Sequence, residues 1–200
     1  MKIGGIESEV PGKLYSVLKK AGLEKLRPCQ EKAVKAGLLD RKNLLVCTPT
    51  ASGKTLIAEL AGIKSILERE GKMVYIVPLR SLANEKFKEF KKKYEGLCKI
   101  AMSIGDIDSS DPYLQDYDLI ITTAEKFDSL IRHHAIWLDQ IATVVFDEIH
   151  FINDIERGYV WEESIIFSRP HVRFLCLSAT IPNADEFADW IHSIKKHEVD

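Results

Sequence analysis

The chain has 200 residues, 46% hydrophobic and 29% charged, a mix that buries a core and excludes a disordered chain. No apolar stretch approaches the roughly 18 residues that cross a bilayer, and the opening MKIGGIESEVPG lacks the apolar centre of a signal peptide, so the expected location is the cytoplasm. A formal net charge of −2 gives no global basic field, and any nucleic-acid partner would have to be held by a local surface.

In chain order, Pro11 opens a predicted helix that ends at Gly22, with Leu14, Val17, Leu18 and Ala21 on its apolar face. Pro28 opens a second, running to about Leu39. Then come six short apolar runs: Leu44–Cys47, Met73–Val77, Lys99–Ile104, Leu119–Thr122, Thr143–Phe146 and Arg173–Leu177. Most are continuously apolar, as strands covered on both faces must be. Between them lie segments with helical spacing: Leu56, Leu60, Ile63 and Leu67, then Leu82, Lys86, Phe87 and Phe90 beside a lysine-rich face. Strand, helix and strand in repetition imply right-handed βαβ units and an α/β fold, a mostly parallel doubly wound sheet with helices on both faces. Residues 1–40 form an N-terminal helical layer packed on a single compact lobe of residues 41–200. Cys29, Cys47, Cys98 and Cys176 lie far apart without a CxxC pair and read as reduced residues, not a zinc or disulfide framework. Trp137, Trp161 and Trp190 are expected in core and helix-packing sites.

Two motifs carry chemistry. Thr48, Pro49, Thr50, Ala51, Ser52, Gly53, Lys54 and Thr55 follow a strand and open an apolar-faced helix, the context of a phosphate-binding P-loop. Backbone N–H groups around Gly53 can wrap a phosphate at the positive end of the helix. Lys54 would reach the β- and γ-phosphates and Thr55 would take a Mg²⁺ position. Thr48 stands where the general pattern has its first glycine. The second motif is an apolar strand ending in Asp147, Glu148, Ile149 and His150, which sets Asp147 as the Mg²⁺ residue opposite the P-loop and Glu148 as the base. Taken singly, each motif also fits a solvated turn; together they fit an ATP site.

Ligands of open α/β sheets bind outside the carboxyl ends of the strands. Here six strands end in TPTASGKT, PLRSLANEK, GDID, TAEKF, DEIH and SAT. A small-molecule kinase needs two or three such clusters, and the surplus asks for a second, extended ligand.

The set TPTASGKT, PLRSLANEK, TTAEKFDSL, DEIH and SAT, in this order, resembles the first RecA-like lobe of superfamily 2 helicases of the DExH type, ski-two-like branch, and is most similar to archaeal DNA helicases of fork repair. Arg27-Pro28-Cys29-Gln30 resembles the Q motif, and Asp154-Ile155-Glu156-Arg157-Gly158 extends the likeness past DEIH. The resemblance implies that Gln30 selects adenine. It implies that Arg80, Gly105, Asp106, Thr123, Glu125 and Lys126 contact the backbone of single-stranded or forked DNA, RNA remaining open. It further implies that His150, Ser178 and Thr180 couple nucleotide state to strand movement. A monomeric motor of this kind needs a second RecA-like lobe carrying arginine fingers, expected beyond Asp200 with further domains, without which hydrolysis should be very slow. Two other readings stay open at this point: a self-contained P-loop switch or kinase, and a non-catalytic module that keeps the fold, against which Lys54, Asp147 and Glu148 count.

Overall fold

The computed structural model describes residues 1–49, 52–105, 109–179, 181, 183–196 and 198–200. The apolar runs become β1 (Leu44–Cys47), β2 (Lys72–Val77), β3 (Ile100–Ser103), β4 (Leu119–Thr123), β5 (Ile141–Asp147) and β6 (Arg173–Ser178). They form one sheet in the order β1-β6-β5-β2-β4-β3, and every neighbouring pair is parallel. The expected doubly wound architecture is therefore present.

All six residues of β2 are buried, which explains its unbroken apolar run: a central parallel strand meets helices on both faces. Met73, Tyr75 and Val77 enter one core, Val74 and Ile76 the other. The first core is closed by α1 (Gly12–Lys20), α2 (Pro28–Lys35), α3 (Lys54–Leu67) and α4 (Arg80–Tyr94). The second is closed by α5 (Ala124–Arg132), α6 (Gly158–Phe167) and α7 (Ala184–Lys195).

Two details depart from the sequence expectation. Pro11 caps α1 from outside instead of filling its first turn. The second helix stops at Lys35, not Leu39, because Gly37 adopts φ 97° and the Leu38 N–H turns back to Ala33 O at 3.0 Å, a left-handed glycine cap. Trp137 and Trp161 are buried, and Trp190 is half-buried, packed against the second core and stacked on Phe187 with ring centroids 5.6 Å apart, so the three take the core and helix-packing places expected of them.

Gly158 begins α6 against the short helical turn Ile149–Asn153 that follows the acidic pair. A Cβ there would sit 2.2 Å from Ile152 O, and a backbone carbonyl cannot move aside as a flexible side chain can. Gly158→Ala is expected to destabilise the chain by about 1–3 kcal/mol through overpacking. Urea unfolding should show a lower midpoint at unchanged slope.

Candidate functional site

Because all strands run the same way, every carboxyl end lies on one edge of the sheet, and the strand order sorts the polar clusters along it. β1, β6 and β5 are neighbours and deliver the P-loop, Ser178 and the acidic pair side by side. β2, β4 and β3 deliver the clusters at Arg80, Thr123 and Gly105. Thr50, Ala51, Asp106 and Thr180 lie outside the described residues.

In the first half Lys54 is the opening residue of α3 and is 7% exposed. Its ammonium donates to Thr48 O at 3.0 Å and to Ser178 O at 2.8 Å, joining the ends of β1 and β6. The Thr48 N–H donates to the same Ser178 O at 3.2 Å. Gly53 turns with φ 91°, a conformation that favours glycine, and a Cβ on it would meet Gln30 Nε2 at 2.5 Å and displace that side chain from the loop. Thr48 Oγ1 lies 2.6 Å from Ser52 Oγ, so the residue standing in place of a glycine contributes a hydrogen bond across the loop. Pro49 continues the loop from β1.

Gln30 is 3% exposed and joins α2 to the P-loop: Oε1 accepts from the Arg27 N–H at 2.7 Å and Nε2 donates to Gly53 O at 2.9 Å. A cleft of 300 Å³ lies beside it, lined by Gly22, Leu23, Arg27, Gln30, Gly53 and Thr55 among others.

Asp147 ends β5, and its Oδ2 accepts from the buried Tyr75 hydroxyl at 2.6 Å across the β2–β5 boundary. Burial pushes the Asp147 carboxyl above the ordinary carboxylate range, with Glu148 adding to the rise, while the Tyr75 hydroxyl and the Lys86 and Lys54 ammoniums pull it back. Relative to the unfolded chain, the fold shifts this carboxyl toward its protonated form. Stability from this group is complete below the ordinary aspartate pKa and is lost as pH rises through the higher folded value. An ionised Asp147 therefore calls for a cation. Lys86 of α4 supplies one nearby: its Nζ donates to Thr55 Oγ1 at 3.0 Å and to Glu89 Oε2 at 3.0 Å. The donor set, one hydroxyl and one buried carboxylate, fits Mg²⁺, which takes one or two protein oxygens and completes its shell from phosphate and water.

Glu148 holds φ 56° and ψ 46°, a left-handed conformation uncommon for a side-chain-bearing residue. Its buried Oε2 has no hydrogen-bond partner among the described residues, although His150 Nδ1 lies 3.3 Å away out of alignment. His150 Nδ1 is also 3.4 Å from Ser178 Oγ, bringing these two predicted coupling residues together.

In the second half Arg80, Gly105, Thr123, Glu125, Lys126 and Arg157 line one cleft of 330 Å³. Arg80 is exposed at the start of α4. Thr123 caps α5, accepting from the Lys126 N–H at 3.4 Å. Lys126 departs from the expectation of an open phosphate contact. It is 2% exposed, donates to Ser109 O at 2.8 Å and sits 3.3 Å from Asp111 Oδ2, so its charge braces the loop beneath the cleft. Burial opposes ionisation of Asp111, but hydrogen bonds from Ser103, Ser109 and Lys126 outweigh it and hold the carboxyl below its ordinary range. Arg157, to which the sequence assigned no ligand, reaches the cleft with a 44% exposed side chain, its nitrogens 3.8 Å from Glu125 and 3.6 Å from Asp154, beyond hydrogen-bond length.

Comparison with known proteins agrees with this geometry. The chain is 48% identical over 193 residues to the ATP-dependent DNA helicase Hel308 of Pyrococcus abyssi, covering 96% of this chain and 27% of that protein. It is 50% identical over 190 residues to the ATP-dependent DNA helicase Hel308 of Methanocaldococcus jannaschii, covering 90% of this chain and 16% of that protein. It thus spans only about a quarter or less of the length of these curated relatives. A crystal structure of the DUF1998 helicase MrfA bound to DNA and AMPPNP shares the fold, with a TM-score of 0.79 at 22% identity over 96% of this chain and 29% of that one. Residues 27–187 match the DEAD/DEAH box helicase family, and the chain belongs to it.

Proposed function

We propose that this chain is the ATP-binding motor lobe of an ATP-dependent DNA helicase that translocates on single-stranded DNA, in the repair of stalled forks. The observation that carries the reading is the division of one sheet edge into a P-loop–acid half and an adjoining cleft with two exposed arginines. The names of the Hel308 relatives support DNA as the track. A kinase or switch would leave the second half without a use. The same reading gives a cytoplasmic monomer that works with a second RecA-like lobe; no helix among the described residues is long and apolar enough to cross a membrane.

The residues divide the work as follows. Lys54 exchanges its two carbonyl partners for β- and γ-phosphate oxygens, and the N–H groups at the start of α3 wrap the β-phosphate, with Thr48, Pro49, Ser52 and Gly53 contributing to the cradle. Gln30, beside its cleft, meets adenine with the hydrogen-bonding capacity left over from Arg27 and Gly53. Thr55 and Asp147 would hold Mg²⁺, which when bound neutralises charge on the phosphates. Glu148, with its unpartnered oxygen, aligns a water and accepts its proton as the water oxygen bonds to the γ-phosphorus and the bond to the bridging oxygen breaks, leaving ADP and phosphate. Arg80, Gly105, Thr123, Glu125 and Arg157 face the sugar-phosphate backbone, and Lys126 supports that surface from below. Ser178 and His150 sense whether Lys54 is on the carbonyls or on a nucleotide.

Lys54→Ala should weaken ATP binding by about tenfold to a hundredfold, the worth of one charge-assisted phosphate contact, and a fluorescent ATP analogue that bound both proteins equally would remove the P-loop assignment. Glu148→Gln should keep ATP bound while abolishing phosphate release.

Tyr75→Phe removes the hydrogen bond that holds the Asp147 carboxyl down, so protonation of Asp147 sets in at higher pH. Titrations of Mg·ATP across pH should show affinity lost at a higher pH than in the parent. Coinciding curves would mean that Asp147 does not hold the ion.

Arg80→Ala and Arg157→Ala should each weaken binding of labelled single-stranded DNA evenly across sequences and lower the slope of log affinity against log salt by about 0.7 per lost phosphate contact. Anisotropy titrations at several salt concentrations measure this, and an unchanged slope would remove the residue from the interface.

A further inference from the structure

Lys86 does not behave as a residue of the solvated lysine face of α4. Its ammonium is turned inward with 15% of the side chain exposed, and it donates to the hydroxyl of Thr55, the second residue of the P-loop helix. The same ammonium lies within electrostatic reach of Asp147. Thr55 Oγ1 and the Asp147 carboxylate are the two protein oxygens that fit a divalent ion, so one protein cation hydrogen-bonds the first and favours the ionised form of the second. Glu89, one turn further on α4, shares it at 3.0 Å and anchors the inward conformation.

We infer that Lys86 is a built-in counter-cation that occupies the metal's side of Thr55 when nucleotide is absent and must withdraw when Mg·nucleotide binds. This deepens the reading above and rests on its assignment of Thr55 and Asp147 to the metal. The physical reason is the cost of leaving an ionised, largely buried carboxylate without compensation. Lys86 compensates it on a tether. The ammonium and a divalent ion cannot both take the same hydroxyl lone pairs, nor sit close to each other without repulsion, so Lys86 competes with metal. Lys86 also belongs to the helix whose first residue is Arg80, so its withdrawal acts on the element that borders the cleft.

The test is metal affinity, read without turnover. Mn²⁺ binding to the nucleotide-free chain, followed by electron paramagnetic resonance of the free ion, is compared for the parent, Lys86→Met and Lys86→Arg, with thermal melts confirming that each folds. Removing the competing charge should tighten Mn²⁺ by about tenfold or more, the strength of a charge-assisted hydrogen bond turned into an affinity ratio. Lys86→Arg, which keeps a cation, should stay near the parent. Equal or weaker Mn²⁺ binding by Lys86→Met overturns the inference. Binding of a fluorescent ADP with Mg²⁺ to the parent separates the two levels: if it binds and Lys86→Met leaves the Mn²⁺ affinity unchanged, only the counter-cation role is lost, whereas a parent that binds no Mg·ADP overturns this role and the nucleotide-site reading together.

Discussion

The arrangement of the whole edge depends on how one buried ammonium is satisfied. Lys54 sits at the start of α3, where the helix dipole is positive and a cation is disfavoured, and it is held by the carbonyls of Thr48 and Ser178. These carbonyls terminate β1 and β6, adjacent strands far apart in sequence. The contact therefore closes the loop on itself and fastens its two ends to Ser178 at the end of β6. In the proposed function an entering phosphate replaces both carbonyls, because it brings full negative charge to a cation at the start of a helix. On that reading Ser178 O would lose its ammonium partner and keep the Thr48 N–H, so that nucleotide occupancy is felt at the end of β6.

A second balance is struck one strand further along. Asp147 is costly to ionise at its depth, and Tyr75 from β2 together with Lys86 from α4 moderates that cost from the other half of the edge. Tyr75 in turn has its hydroxyl pushed far above the ordinary tyrosine range by burial and by the neighbouring carboxylates, so it stays a donor under all ordinary conditions. Lys93 continues the pattern on the inner side of α4, donating at 2.6 Å to the buried Glu59 of α3. Three groups of the nucleotide half, Thr55, Glu59 and Asp147, are thus addressed from β2 or α4.

Much of this was legible in the sequence, for reasons that can be named. A parallel strand buried on both faces must be apolar throughout and can become polar only where it leaves the sheet, so the positions of Lys54, Asp147, Arg80, Thr123 and Ser178 at strand ends followed from the runs before them. What was not legible depended on partners distant in the chain. Lys126 looks like a phosphate contact within TTAEK, and its burial follows from Asp111, which arrives from the loop after β3. Arg157 reaches the cleft only because α6 starts beside α5, with Gly158 pressed against Ile152. Lys86 did leave a signal: it falls in register with Leu82, Phe87 and Phe90 on the inward face of α4, where a lysine has to find a buried acceptor, and Tyr75 left the same kind of signal as a hydroxyl inside a core strand.

The strand order explains why the two halves of the edge are positioned to influence each other. With β5 and β2 adjacent at the centre, the last residue of the acidic strand meets the strand whose following helix opens at Arg80. A ligand that changed the charge around Asp147 would therefore act on a hydrogen bond into β2 and on an ammonium carried by α4. A packed sheet deforms little, whereas a lysine on a four-carbon stem can exchange one acceptor for another at small cost. In the proposed function, Lys86 would be the flexible component of a coupling between the two halves and the β5–β2 ladder the rigid one, with α4 carrying both Lys86 and Arg80.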